Sequence, residues 1–99
     1  MDARHSINAV AFKEGDVWVV QGIEYDIVAH AHDVTALPQA FMRAVVENML
    51  ITKQLGRRPF EGLKPAPERY RLLYEDAEIE MRPTKKKDEW PDVAVRVAA

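Results

Sequence analysis

The sequence predicts an α+β fold, a two-layer sandwich in which a three-stranded antiparallel meander is followed by a long helix, a second helix and a C-terminal strand (β-β-β-α-α-β). Three observations predict it. Apolar and polar residues alternate in short runs near both ends of the chain. Residues 35–55 carry apolar side chains at helical spacing. A length of 99 residues with 47% hydrophobic and 30% charged side chains suits one hydrophobic core. We therefore expect a single domain over residues 1–99, with a β-β-β-α core (1–56) and a loop, second helix and final strand (57–99).

The first three strands follow from this alternation and from the polar turns between them. Residues 5–12 alternate, and the polar turn at residues 13–16 contains a glycine that can adopt a positive φ. Residues 17–21 are apolar on both faces and complete a hairpin with the first strand. Gly22 opens the connection to a third strand at residues 26–31, which completes the meander.

The long helix is predicted by its ends and by its spacing. Thr35 is a suitable N-cap, Pro38 is tolerated in a first helical turn, and Gly56 ends the helix as a C-cap. A helix of about 20 residues is about 30 Å long, enough to cover a small sheet. The apolar stripe expected to face the sheet is Leu37, Phe41, Ala44 or Val45, Asn48, Ile51 or Thr52, and Leu55.

The second part of the chain is less regular. Residues 57–66 are rich in proline and glycine and are expected to form a loop, and Pro67 suits the first position of the second helix. Residues 79–82 alternate, so they either extend this helix or form a short strand. After an exposed linker at residues 83–92, residues 93–97 predict a strand beside the first strand and parallel to it, reached by a right-handed crossover.

Trp18 raises the question of what covers the second face of the sheet. If the long helix covers the Val17 side of the second strand, Trp18 lies on the opposite face together with Val10 and Phe12. That face is then either a partner surface with an aromatic centre or a surface covered by the second helix. The side chains of the second helix that would cover it are Tyr70, Leu73 and Tyr74.

Charge is unevenly distributed along a chain whose net charge is −2. Residues 1–40 carry two basic and six acidic side chains, whereas residues 41–71 carry seven basic and three acidic ones. The acidic first part is either a docking surface for a basic partner or part of an ordinary solvated surface.

Several classes of protein are excluded by composition. The chain has no cysteine, so disulfides, thiolate catalysis and zinc–cysteine sites are excluded. No signal peptide is visible, and no apolar run reaches the roughly 20 residues needed to cross a bilayer. We expect a soluble cytoplasmic protein that does not enter a membrane.

A metal site is the first functional alternative. His30 and His32 are two residues apart on a strand and so project to the same side, and Asp33 could add a third ligand. However, Asp33 occupies a strand-to-helix turn that needs a short polar side chain, and His5 is the only other histidine. We expect no metal and no other cofactor. The alternative is a metal-binding protein or metal-dependent enzyme that uses His30 and His32 as ligands.

Other chemistry has little support in the sequence. Ser6 is the only serine and has no orienting carboxylate beside it, and the four glycines are isolated, so neither a catalytic triad nor a phosphate-binding loop is indicated. We therefore expect no enzyme. A further alternative is a nucleic-acid-binding regulator, although acidic residues follow the lysine run directly. Its phosphate contacts would come from Arg57, Arg58, Lys85, Lys86 and Lys87.

The run VWVVQGIEYDIVAHAHDVTALPQAFMRAVVENM (residues 17–49) resembles the amino-terminal domain of HicB-family antitoxins. Trp18 stands in the aromatic-rich strand of that pattern, and residues 23–26 stand in the short connection that follows it. Residues 30–35 stand where the family has its turn. Residues 39–41 match the glutamate–alanine–aliphatic opening of the family's helix.

The resemblance implies a partial ribonuclease-H-like fold (β-β-β-α-β) without catalysis. HicB-family proteins neutralise small basic RNA-cleaving toxins of the HicA family by covering their active surface, and many bind operator DNA through a C-terminal module. Here Ala31 or His32 replaces the turn glycine of the family, Pro38 occupies an acidic slot, and residues 57–99 resemble neither kind of DNA-binding module. DNA binding is therefore not expected.

The sequence thus predicts a HicB-like antitoxin or orphan regulatory protein that acts by protein–protein binding. We expect a homodimer, with a small basic toxin as the further partner. The residues predicted to bind the partner are Trp18, Glu24, Tyr25, Asp26 and Asp33.

Overall fold

The computed structural model describes residues 6–98 and shows a mixed five-stranded sheet with one helix on each face. The strands are β1 (Ser6–Glu14), β2 (Val17–Gly22), β3 (Val28–Ala31), β4 (Ile79–Met81) and β5 (Asp92–Val97), and the helices are α1 (Leu37–Gln54) and α2 (Glu68–Asp76). The strand order is β3-β2-β1-β5-β4, with β1 parallel to β5 and the other neighbours antiparallel. The predicted α+β class, the meander and the parallel final strand are confirmed.

Several strand boundaries differ from the sequence prediction, among them the start of β3, which is Val28 rather than residue 26. The hairpin turns at Gly15 and Asp16 alone, and Gly15 has a φ of +61°, so β1 ends two residues later than predicted, at Glu14. The predicted first residue of that strand, His5, lies outside the described residues. The alternating segment after α2 is resolved as the short strand β4, paired with β5.

Trp18 lies on the face covered by α1. It pairs with Lys13 in the hairpin register and packs against the core cluster that includes Ala11. The prediction that it shares a face with Val10 and Phe12 is wrong. Directly paired residues share a face of the sheet, and this register pairs even-numbered residues of β2 with odd-numbered residues of β1.

The main core lies between α1 and the sheet. Of the alternatives in the predicted apolar stripe, Val45 and Thr52 are buried, whereas Ile51 is exposed. Leu55 is also exposed, contrary to the prediction, because it is the C-cap residue, where the chain leaves helical geometry. The buried residues of this core are Ile7, Ala9, Ala11, Val20, Ile27, Leu37, Phe41, Met42, Val45, Phe60, Val93 and Val95.

The start of α1 differs from the prediction. The Thr35 amide donates to Oδ1 of Asp33 at 3.0 Å, so Asp33 caps a short 3-10 turn, Val34–Ala36. The helix itself begins at Leu37, with Pro38 in its first turn. Thr35 is therefore not the N-cap: Asp33 caps the 3-10 turn, and Ala36, which precedes α1, makes no side-chain capping bond.

The end of α1 is as predicted. Gly56 has a φ of +72° and its amide donates to the carbonyl of Lys53 at 3.0 Å, while the Arg57 amide donates to the carbonyl of Thr52 at 2.9 Å. These two bonds form a Schellman motif, which satisfies the last carbonyls of the helix and requires a left-handed residue. Glycine meets that requirement without strain.

The second helix covers part of the opposite face. Pro67 precedes α2 as its N-cap rather than occupying its first position. The second core cluster contains the buried residues Val10, Ile23 and Ala98, against which Phe12, Tyr70, Leu73 and Tyr74 pack. The sequence left open whether α2 or another subunit covers this face, and the structure places α2 there. Within residues 6–98, no helix combines the length and hydropathy required to cross a bilayer.

Candidate functional site

The five residues predicted to bind a partner are divided between two ends of the sheet. Trp18 lies near the start of β2 and pairs with Ala31 at the end of β3, so Asp33, two residues further on, lies at the same end. Glu24 to Asp26 form the connection that leaves the other end of β2. Because a strand rises about 3.3 Å per residue, the two groups are separated by roughly 20 Å. The structure does not bring them together as one face.

The carboxylates of the β2–β3 connection are occupied within the chain. Glu24 accepts the backbone amide of Asn8 on one oxygen and its side-chain amide on the other, both at 2.7 Å. Asp26 accepts Nε2 of Gln21 at 2.7 Å. Glu24 therefore ties the connection to β1, and Asp26 ties it to β2.

The loop after α1 packs on the same connection. The ring of Tyr25 stacks on Phe60, with centroids 4.8 Å apart. The Asp26 amide donates to the carbonyl of Lys64 at 2.7 Å, and the Ala66 amide donates to that of Ile23 at 3.0 Å. Through these contacts, Tyr25 and Asp26 hold the loop against the sheet.

The other end of the sheet retains exposed carboxylates. Glu14 precedes the hairpin turn and Asp16 lies in it, and both are exposed, as is Asp33. We call these three residues the acidic end. Half-buried Trp18 lies at the same end, between the hairpin and β3. This end keeps two of the five predicted partner residues in one place.

The histidines do not acquire the partners that a metal site needs. His30 lies on β3 opposite Val19, and His32 follows the end of that strand; both are exposed. Among residues 6–98 the structure assembles no group of three histidine, aspartate or glutamate side chains able to hold a metal ion.

Two residues of the lysine run contact other parts of the described chain. The backbone of Lys85 makes two hydrogen bonds with the side-chain amide of Gln39, at 3.0 and 3.3 Å, which attach the linker to the first half of α1. Lys86 forms an ion pair with Asp92 at 3.5 Å. These contacts hold the linker along α1.

Two of the remaining basic candidates, Lys87 and Arg57, lie near Trp90. Nζ of Lys87 lies 5.7 Å from the centroid of the Trp90 ring. Arg57, after the end of α1, borders a cavity that Trp90 also lines, whereas Arg58 is exposed and its amide donates to Glu61. Residues distant in the sequence therefore converge on the outer side of α1.

This cavity, which we call the α1 groove, has a volume of about 310 Å³. Its apolar lining consists of Val46, Met49, Leu50, Pro59 and Trp90, and its charged lining of Lys53, Arg57 and Glu89. Towards the start of α1 it borders a smaller recess of about 170 Å³ that shares Val46 and Trp90. The recess is also lined by Gln39, Met42, Arg43 and Glu47.

The second half of α1 carries apolar side chains on more than one side, although Glu47 and Lys53 interrupt them. Val45 is buried against the sheet, while Leu50, Ile51 and Leu55 expose 55%, 53% and 60% of their surface. The described chain covers one side of this half-helix and leaves large aliphatic side chains uncovered on the other.

Sequence reasoning missed this groove. The run AVVENMLI (residues 44–51) contained a signal, because its apolar residues exceed one helical stripe. Trp90 was predicted to lie in an exposed linker, but it is half-buried against the main core, and Pro91 is fully buried. A tryptophan–proline pair in a charged linker is a signal of packing, but it does not identify the surface it packs against.

Comparisons with family models, curated proteins and solved structures found no match to this chain. The resemblance to HicB-family domains rests on residues 17–49 of the sequence and stays a prediction.

Proposed function

We propose that this protein is a non-catalytic domain that acts by binding other proteins. The observation that carries the proposal is the uncovered surface of α1, where Leu50, Ile51 and Leu55 are each more than half exposed beside the α1 groove. Contiguous apolar surface is costly to keep in water, and on small domains it marks interaction sites.

Within that class, the resemblance of residues 17–49 to HicB-family domains supports a cytoplasmic antitoxin-like or orphan regulatory role. The toxins of that family are small and basic, and the acidic end offers exposed carboxylates of Glu14, Asp16 and Asp33 around Trp18. Opposite charge accelerates association, and a half-buried aromatic ring supplies the apolar contact that slows dissociation. Self-association as a homodimer belongs to the same proposal.

The experiment co-expresses the chain with the product of each reading frame that flanks its gene. The expected result is that one neighbour is a short basic protein that cleaves RNA, forms a stable complex with this chain, and stops cleaving when one equivalent of the chain is added. If neither neighbour binds, the antitoxin role is refuted, and the protein-binding role then depends on the α1 surface alone.

Charge reversal locates the contact. Glu14→Lys with Asp16→Lys alters two exposed side chains of the acidic end, and should slow association with the toxin on the order of tenfold or more at low salt. The matched control is Glu75→Lys with Glu78→Lys, two exposed carboxylates in and just after α2. Equal association rates for the two double variants would remove the acidic end from the interface.

A further inference from the structure

We propose that the α1 groove binds an amphipathic helix of a partner protein whose apolar side is flanked by carboxylates. This inference rests on the proposed protein-binding role and identifies the chemistry of the partner at α1. It concerns a surface separate from the acidic end.

The shape of the groove favours side chains that project from a helix. It is concave, about 310 Å³ in volume, and the least exposed of its lining residues are the apolar side chains of Val46, Met49 and Trp90. A cavity of about 150 Å³ accepts a ring as large as benzene. The groove therefore has room for more than one aliphatic side chain, as in the binding of an amphipathic helix by an apolar groove. A flat bilayer surface would leave this concavity unfilled.

The charge of the groove walls selects for acidic residues. One wall is the second half of α1 with the loop that follows it, and its charged lining residues are Lys53 and Arg57. The other wall is formed by Glu89 and Trp90 of the linker, and Nζ of Lys87 lies 5.7 Å from the Trp90 ring. Lys53 and Arg57 line the groove itself, against Glu89. A partner helix with carboxylates beside its apolar stripe complements this excess of positive charge.

The long cationic side chains at the rim fit the same occupant. Lys53 and Arg57 can lay their aliphatic stems along the apolar lining while their charged groups stay at the edge. Leu50, which lines the groove but is 55% exposed, extends the apolar contact to the groove's outer edge. A partner helix would thus meet apolar surface at its centre and basic groups at its margin.

The test uses two synthetic helical peptides of 18 residues and the full-length protein. Both peptides carry leucines at positions i, i+3, i+4 and i+7; the first is flanked by glutamates and the second by lysines. Fluorescence anisotropy of the labelled peptides should show binding of the glutamate peptide that is at least tenfold tighter than binding of the lysine peptide, and that weakens as salt is raised.

Variants assign the binding to the groove. Lys53→Glu with Arg57→Glu should reverse the preference, so that the lysine peptide binds at least tenfold tighter, a gain that misfolding could not produce. Arg69→Glu with Arg71→Glu on α2 is the matched control and should leave both affinities unchanged. With Trp18→Phe in the background, Trp90 is the only remaining tryptophan, and its emission should shift on binding of the glutamate peptide.

Any of these results would overturn the proposal: no binding of either peptide, equal binding of both, a preference that the Lys53/Arg57 reversal does not alter, or self-association that Leu50→Glu abolishes. The last would assign the groove to a second copy of the chain. Co-sedimentation with vesicles of equal parts phosphatidylserine and phosphatidylcholine that Leu50→Glu abolishes would likewise assign it to a lipid surface.

The two proposals fail separately. The Lys53/Arg57 reversal leaves the acidic end intact, so neutralisation of a toxin should persist in that variant. Loss of peptide binding with intact neutralisation contradicts the groove proposal alone.

Discussion

The two faces of the sheet are held by different kinds of contact. On the α1 face, six residues of the helix are buried, among them Leu37, Phe41 and Val45, and the packing is almost entirely hydrocarbon. On the other face, α2 has no fully buried residue and is attached by aromatic rings and polar groups. The ring of Tyr70 stacks on Phe12 at 5.8 Å, and the guanidinium of Arg96 lies 4.2 Å from the centroid of Tyr74.

The difference shows where the stability of the fold resides. Burial of apolar area is the dominant favourable contribution to folding, so the packing of α1 on the sheet should supply most of the stability of the fold. Stacking and hydrogen bonds each contribute about 1 kcal/mol, so α2 should detach at lower cost. The three substitutions below test this contrast from the largest effect to the smallest.

Removing the ring of Phe41 should give the largest loss. Phe41 is 0% exposed and contacts the centre of the main core. Phe41→Ala should lower the free energy of unfolding by about 3–5 kcal/mol, because lost transfer free energy and the cavity add together. Urea denaturation followed by circular dichroism measures the change.

Two control variants calibrate this loss. Phe41→Leu should cost less than half as much, and Leu72→Ala, at an exposed position of α2, should change the free energy of unfolding by no more than about 0.5 kcal/mol. A loss below about 2 kcal/mol for Phe41→Ala would show that the α1 face is not the main source of stability.

A methyl group added at Gly22 should test the same face by overpacking. A Cβ on Gly22 would lie 2.5 Å from the carbonyl oxygen of Tyr25 and 3.1 Å from Cζ of Phe41. The backbone cannot easily move away, because the Gly22 amide donates to the carbonyl of Ile27 at 2.8 Å. Gly22→Ala should therefore cost about 1–3 kcal/mol.

A second variant separates the two clashes at Gly22. Adding Phe41→Leu removes the ring contact but leaves the Tyr25 carbonyl in place, so the double variant should still be about 1–3 kcal/mol less stable than Phe41→Leu alone. If the double variant were as stable as Phe41→Leu, the ring rather than the backbone carbonyl would be the limiting contact.

The parts of the fold that local pattern determines were predicted correctly. The alternation in β1 and β5, the spacing of Leu37, Phe41 and Val45, and the glycine that ends α1 each depend on residues close in sequence. The face occupied by Trp18 was predicted wrongly because it depends on cross-strand register, and a face assignment reverses with a one-residue shift.

The candidate site was harder to predict because it depends on distant contacts. Glu24 and Asp26 were expected to face a partner, yet Glu24 is held by Asn8, 16 residues away in the chain. Trp90 and Val46 line the same groove although the second half of α1, a loop, α2 and β4 separate them in the chain, so no short window of sequence shows that they lie together. The predicted partner face was inferred from acidic residues that lie close together in the sequence. The groove forms only when distant parts of the chain pack together.

The smallest of the three effects tests the polar attachment of α2. The Tyr74 hydroxyl donates to Oδ1 of Asn8 at 3.1 Å, while the backbone N–H and Nδ2 of Asn8 donate to the Glu24 carboxylate. Tyr74→Phe keeps the ring and its contact with Arg96 but removes this donor, so the loss should be about 1 kcal/mol. Tyr70→Phe is the matched control, because the Tyr70 hydroxyl accepts from its exposed neighbour Arg69 and should contribute little.

Amide hydrogen exchange shows which elements of the fold are destabilised by Tyr74→Phe. If α2 is a separately detachable element, Tyr74→Phe should speed exchange in α2 several-fold and leave the amides of β1 and α1 almost unchanged, because local opening does not require the main core to separate. Uniform acceleration across α1, β1 and α2 would instead mean that the two faces unfold as one unit. The α1 and α2 faces would then differ in the kind of contact that holds them but not in their stability against opening.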